Sequence, residues 1–85
     1  MNSMAKVKLF GIYSIKVGKN ELIIKAKNIE ELLIKLSEIE PNLTMEELKR
    51  SLIFVNNRNI TELSMFKTKI DHNDNISILS PIAGG

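Results

Sequence analysis

The residues with the clearest chemical potential are the last ones, Ser80-Pro81-Ile82-Ala83-Gly84-Gly85, which follow a short apolar run, Ile76 to Leu79. Read as a working end, this segment offers one reactive group, the main-chain carboxylate of Gly85. A carboxylate is anionic and resonance-stabilised, so it is a poor electrophile. Transfer of an adenylyl group from ATP would convert it into an acyl-adenylate whose carbonyl accepts a nucleophile. Sulfide would then give a thiocarboxylate, and a lysine amine would give an amide; the residues alone leave both outcomes open. Gly84 and Gly85 suit such an end because they carry no side chain and accept backbone angles closed to other residues, so they can thread a narrow tunnel. Pro81 fixes φ at the root and so reduces the ordering cost of a flexible tail, about 1–2 kcal/mol per residue. Extended at about 3.3 Å per residue, Pro81 to Gly85 span roughly 17 Å, enough to pass from a surface into a partner's buried site.

The remaining composition removes most alternatives. A chain of 85 residues makes one domain with a modest core, too small to enclose a large active site, so the protein is not expected to be catalytic alone. There is no cysteine, which excludes disulfides, thiolate metal sites and a cysteine nucleophile. It also leaves no thiol to carry sulfur, which is consistent with a sulfur-bearing main-chain carbonyl. The only histidine, His72, cannot build a multi-histidine metal site and reads as a solvated turn residue; no metal is expected. The net charge of +2 and the dispersed lysines give no reason to expect a nucleic-acid partner. No apolar run approaches the roughly 18 residues of a membrane span, and the start, Met-Asn-Ser-Met-Ala-Lys, lacks a signal peptide's apolar stretch. A cytoplasmic protein without membrane attachment is expected.

The elements that must hold the end in place can be read from periodicity. Lys6 to Phe10 alternates, with Val7 and Leu9 on one side and Lys6, Lys8 and Phe10 on the other, which predicts a strand. The stretch from Gly11 to Asn20 fits either an extended hairpin or a short helical turn, with a turn at Gly18–Asn20. Glu21 to Ala26 reads as a second strand. Ile29, Leu32, Leu33 and Leu36 share one helical face, after an N-cap at Asn28 with Glu31 at the capping-box position; Glu31 and Lys35 are expected to pair on the wet side, and Pro41 ends the helix. Thr44 and Glu47 mark a second, shorter helix whose Met45 and Leu48 point inward. Leu52 to Val55 is a continuous apolar run, which suggests a central strand covered at least partly on both faces. Asn56 to Asn59 and Asp71 to Asn75 read as turns, with an edge segment between them and a last strand at Ile76 to Leu79. This order predicts an α+β fold: a mixed sheet of four to five strands, one main helix packed across one face, and a second short helix. The domain is expected over residues 1–80, with 1–4 a loose leader and 81–85 a flexible Gly-Gly tail.

Three passages resemble a known family. Val7-Lys8-Leu9-Phe10, Ile53-Phe54-Val55-Asn56-Asn57, and above all Thr68 to Gly85 are similar to the opening strand, central strand and ending of β-grasp, ubiquitin-like proteins, in particular the sulfur carriers that serve as small subunit of molybdopterin synthase. The likeness spans Val7 to Gly85. It departs at Asn73-Asp74, where the family often has Gly-Asp, at Ser80, where it often has proline, and over residues 12–21. Asn tolerates the left-handed backbone that Gly supplies, so the turn can survive.

The resemblance implies that Gly85, preceded by Gly84, is adenylated by an ATP-using, ubiquitin-activating-like enzyme. A cysteine desulfurase or rhodanese-like donor then makes the thiocarboxylate. No cofactor is implied to be permanently bound. The sulfur passes to a pterin precursor held by the large subunit of molybdopterin synthase. Chain length and Pro81 favour this pathway over the shorter thiamin-thiazole carriers. Carriage for thiamin, tRNA thiolation or an amino acid, a ubiquitin-like modifier joined to lysines, and a plain β-grasp binding module with an idle tail are the other readings. Docking is expected to use Phe10, Phe54 and Leu79 on the sheet face away from the helix, together with Pro81, Ile82 and Ala83.

Overall fold

A computed structural model describes residues 3–81. Strand β1 (Ser3–Leu9) is followed by helix α1 (Ile12–Val17), strand β2 (Glu21–Ala26), helix α2 (Ile29–Ile39), helix α3 (Met45–Lys49), strands β3 (Leu52–Val55) and β4 (Arg58–Asn59), two 3-10 turns, and strand β5 (Asn75–Leu79). The five strands form one sheet in the order β2-β1-β5-β3-β4. β1 runs parallel to β5, with Leu9 beside Ile78, while β1–β2, β3–β5 and β3–β4 are antiparallel.

Strand alternation sets the core. Val7, Leu9, Ile24, Ile53, Ile76 and Ile78 are buried on one sheet face, and Ile29, Leu32, Leu33 and Leu36 of α2 are buried with them. The outward residues of β1, Lys6 and Lys8, stay exposed. The ends of the helices follow local chemistry. Asn28 Oδ1 accepts from the Glu31 N–H at 2.8 Å, and Glu31 Oε1 accepts from the Lys27 N–H at 2.8 Å, one residue before the cap. Thr44 and Glu47 form a complete capping box at α3. The ambiguous stretch after Gly11 resolves as a helix, closed by Gly18 in the left-handed region at φ 81°, whose N–H donates to Ser14 O. Asn56 and Asn57 have φ of 50° and 72°, the double positive φ that a tight hairpin between right-twisted strands needs. Asn73 takes the left-handed turn at φ 71°, as its side chain allows.

Four expectations are corrected. Ser3 and Met4 lie in β1, so the loose leader does not extend over residues 3 and 4; Met1 and Asn2 lie outside the described residues. Glu31 and Lys35 do not pair: Glu31 turns to the Lys27 N–H, and Lys35 Nζ donates to Lys25 O at 2.6 Å. Main-chain groups at the sheet edge outcompete an exposed i, i+4 pair that is worth only about 0.2–0.5 kcal/mol. The expected partial cover of β3 on both faces holds at half-buried Phe54 but fails at Leu52, which is exposed while Ile53 and Val55 are buried. The middle of the sheet is β5, the last strand, whose five residues contain enough alternation (Ile76, Ile78 in; Ser77, Leu79 out) to sit between two neighbours.

Leu36 is fully buried and Ile15 is 75% exposed. Leu36→Ala is therefore expected to lower unfolding free energy by about 2–5 kcal/mol, and Ile15→Ala by less than about 0.5 kcal/mol, as read by urea unfolding.

Candidate functional site

The sheet delivers the chain toward its last residues from its own centre. β5 pairs with β1 on one side and β3 on the other, and its entry is pinned as well. The Asn56 N–H donates to Asn75 O at 2.8 Å, and the Asn75 N–H donates to Asn56 Oδ1 at 2.9 Å. Asn56 Nδ2 donates to Asp74 Oδ1 at 2.8 Å, while Asp74 Oδ2 accepts from the Asp71 N–H at 2.8 Å. Past Leu79 the chain runs through half-buried Ser80 to exposed Pro81. The expected reactive residues Gly84 and Gly85, and the expected contact residues Ile82 and Ala83, lie outside the described residues.

Pro81 borders a groove of about 270 Å³ between α1 and α3, lined also by Ile12, Tyr13, Lys16, Glu47 and Arg50. Polar contacts hold its walls together. The Ser51 hydroxyl donates to Glu47 O at 2.9 Å and lies 2.7 Å from the hydroxyl of buried Tyr13, which itself reaches Glu47 O at 3.3 Å. Across the same walls Lys16 Nζ meets Glu47 Oε2 at 2.6 Å. That hydrogen bond from Lys16, with the Thr44 N–H second, holds the Glu47 carboxyl below the usual carboxylate range.

Phe10, Phe54 and Leu79 all lie on the sheet face opposite α2. Phe10 is 43% exposed and its N–H donates to Ile78 O at 3.1 Å, which places it beside the end of β5. Leu79 is half-buried; Phe54 is half-buried too, opposite Ser77 on β5. Sequence reasoning missed a fourth member, Leu52, which faces Leu79 across the β3–β5 ladder and is 42% exposed. Reading Leu52 to Val55 as covered on both faces hid it; the alternation of Leu52 and Phe54 against Ile53 and Val55 was the available signal. Ile12, 48% exposed at the groove beside Pro81, was also missed. The result is an apolar strip from Leu52 through Leu79 to Phe10, next to the point where the chain leaves the sheet. His72 is exposed in the turn before β5. Among the described residues no helix is long and apolar enough to cross a membrane.

Comparison with known proteins gives consistent matches. A family model described as the ThiS family matches residues 7–85. No curated protein is similar enough in sequence to count as a relative. The solution structure of small archaeal modifier protein 1 from Methanosarcina acetivorans is similar over 100% of this chain and 99% of that one, with 26% identity and a TM-score of 0.90. A chain in the complex of subunits 1 and 2 of the molybdopterin-converting factor from Helicobacter pylori is 27% identical over 96% of this chain and 99% of that one, with a TM-score of 0.66. A chain in the BexX/CysO complex of Amycolatopsis orientalis shares the fold at 19% identity and a TM-score of 0.75, over 95% of this chain and 99% of that one. These neighbours establish the β-grasp, ubiquitin-like fold for this chain.

The Glu47 shift carries a pH dependence. A carboxyl whose pKa is lowered on folding stabilises the fold above its unfolded pKa, and that contribution disappears as pH falls through the lowered folded value. Because the Lys16–Glu47 pair is more than one-third exposed, its worth is below about 1 kcal/mol. Glu47→Gln should lower the thermal midpoint slightly at neutral pH, and the gap from the wild type should close on acidification through the folded pKa of Glu47.

Proposed function

Since the chain belongs to the ThiS family, a family of ubiquitin-like sulfur carriers, we propose that it carries sulfur on the carboxylate of Gly85 and donates it as the small subunit of molybdopterin synthase. The observation that carries this reading is the position of β5: the strand leading to Pro81 and Gly84-Gly85 is the middle strand of the sheet, paired on both sides, and an apolar strip lies beside its exit. A partner can grip Phe10, Leu52 and Leu79 while its active site receives the residues beyond Pro81. Ile82 and Ala83 would line the entrance, and Phe54 would extend the contact. Likeness to a chain of the Helicobacter pylori molybdopterin-converting factor, found in complex with a second subunit, supports this pathway.

The chemistry runs in two steps. An activating enzyme lets the Gly85 carboxylate attack the α-phosphate of ATP, giving the acyl-adenylate and releasing pyrophosphate. The terminal sulfur of a persulfide on a cysteine desulfurase or rhodanese-like donor then attacks the carbonyl and AMP leaves, giving an acyl disulfide; a second thiol attacks the donor's sulfur, forming a disulfide with it and releasing the thiocarboxylate. In the large subunit the sulfur attacks the pterin precursor of the molybdenum cofactor, forming a thioester to Gly85 that water cleaves, which leaves the sulfur on the precursor and regenerates the carboxylate. The protein acts as a cosubstrate in the cytoplasm, with the catalysis done by its partners. A second reading is favoured by the likeness to small archaeal modifier protein 1: the same acyl-adenylate is passed to lysine amines of other proteins.

Mass spectrometry of the native protein separates these outcomes. Sulfur in place of one oxygen at Gly85 is the expected result. Isopeptide-linked Gly-Gly remnants on other proteins, without that substitution, would select the modifier reading, and finding neither would overturn both. In calorimetric titration with the molybdopterin synthase large subunit, Phe10→Asp and Leu52→Asp should each weaken binding by about tenfold or more. Both positions are exposed enough for the variants to retain the wild-type circular dichroism.

A further inference from the structure

The apolar strip leaves one other feature of the sheet unexplained, the outer edge of β2. Among the described residues no strand pairs with it. The Leu9 N–H donates to Asn20 O at 3.0 Å, and the ladder then pairs Lys8 with Glu21, Val7 with Leu22 and Ala5 with Ile24. Bonded and non-bonded pairs alternate in an antiparallel ladder, so Leu22, Ile24 and Ala26 turn their backbone groups toward β1. Glu21, Ile23 and Lys25 turn theirs outward. The Lys35 ammonium confirms the phase, since it binds Lys25 O from outside the ladder at 2.6 Å.

We propose that this edge pairs with the same edge of a second copy of the chain, antiparallel and centred on Ile23. That register sets Glu21 opposite Lys25 of the second copy, Lys25 opposite its Glu21, and Ile23 opposite its Ile23. All three are outward residues, so each pair can exchange both main-chain hydrogen bonds. Their side chains share the exposed face, where Ile23 is 57% exposed. Neighbouring registers lack this complementarity. Centring on Leu22 sets Lys25 against Lys19 of the second copy; centring on Ile24 sets Ile23 against its Lys25, and Glu21 against its Lys27, whose N–H and carbonyl are already bound by Glu31 Oε1 and the Ile70 N–H. The pairing joins two five-stranded sheets into one and keeps both apolar strips exposed for other partners, because β5 and β3 lie on the far side of β1.

Lys35 governs the strength of this contact. Its ammonium occupies an outward carbonyl that pairing requires, and lysine at an open edge is a recognised guard against strand addition. The association is therefore weak and rises with concentration.

Sedimentation equilibrium of the full chain from micromolar to millimolar concentration tests the proposal, with a monomer–dimer equilibrium expected. Glu21→Lys and Lys25→Glu each turn both cross-strand charge contacts repulsive, which should weaken the dimer about tenfold. An equimolar mixture of the two variants should regain wild-type association as a heterodimer, and the double variant should regain it as a homodimer. Lys35→Met should tighten the dimer severalfold. Circular dichroism shows that each variant is folded. Wild type and Lys35→Met both monomeric at millimolar concentration, or single reversals that leave association unchanged, would overturn the proposal. Mixed variants that fail to recover would overturn it equally.

Discussion

Insertion of β5 between β1 and β3 is the constraint on which the rest of the structure depends. Two ladders hold the strand, Ile76 and Ile78 are fully buried beneath it, and the Asn56–Asp74–Asn75 hydrogen bonds fix where it begins. A chain end emerging from the middle of a sheet has a position and direction set by the whole fold. A loop or an edge strand gives no such definition, because either can shift without disturbing the core. The same insertion places Leu79 between Phe10 and Leu52, so a single strand defines both the root of the terminal segment and the apolar strip beside it. α1 and α3 complete the surroundings of Pro81, joined by the Tyr13–Ser51–Glu47 contacts.

Much of this was legible in the residues. The i, i+3, i+4, i+7 spacing of Ile29, Leu32, Leu33 and Leu36 located α2, and the caps Asn28 and Thr44 fixed where two helices start. The alternation of Lys6 to Phe10 and of Ile76 to Leu79 gave the correct inward faces, because a strand's period of two allows one answer once one face is buried. The order of the strands was less accessible. Leu52 to Val55 is apolar at every position, and such a run does not say which neighbour covers which face. Leu52 is exposed because its pairing with Leu79 turns it to the face opposite the buried Ile53 and Val55. Glu31 and Lys35 had the right spacing to meet, yet each found a backbone group from another element, a tertiary contact that spacing along a helix does not reveal.

The sequence placed Phe10, Phe54 and Leu79 together on the sheet face away from the main helix, and the structure sets them on that face. Sequence reasoning missed Leu52 and Ile12 because their exposure depends on strand pairing and on how α1 sits against α3. The groove at Pro81 could not be read from the chain either: its walls come from residues 12–16 and 46–50, distant in sequence and joined by hydrogen bonds. Family likeness and periodicity contributed different information, the first the chemistry of the final glycines and the second the scaffold that aims them.

The parallel ladder that sets Lys6 beside Asn75 also has a consequence in time. The two halves of the sheet have no shared neighbour until residues 75–79 have been synthesised, so the fold cannot close before β5 is available. Contacts of such long sequence separation form late and slowly. A partner that contacts Leu52, Leu79 and Phe10 together therefore meets its surface only on a completed sheet, and an unfolded copy does not present it.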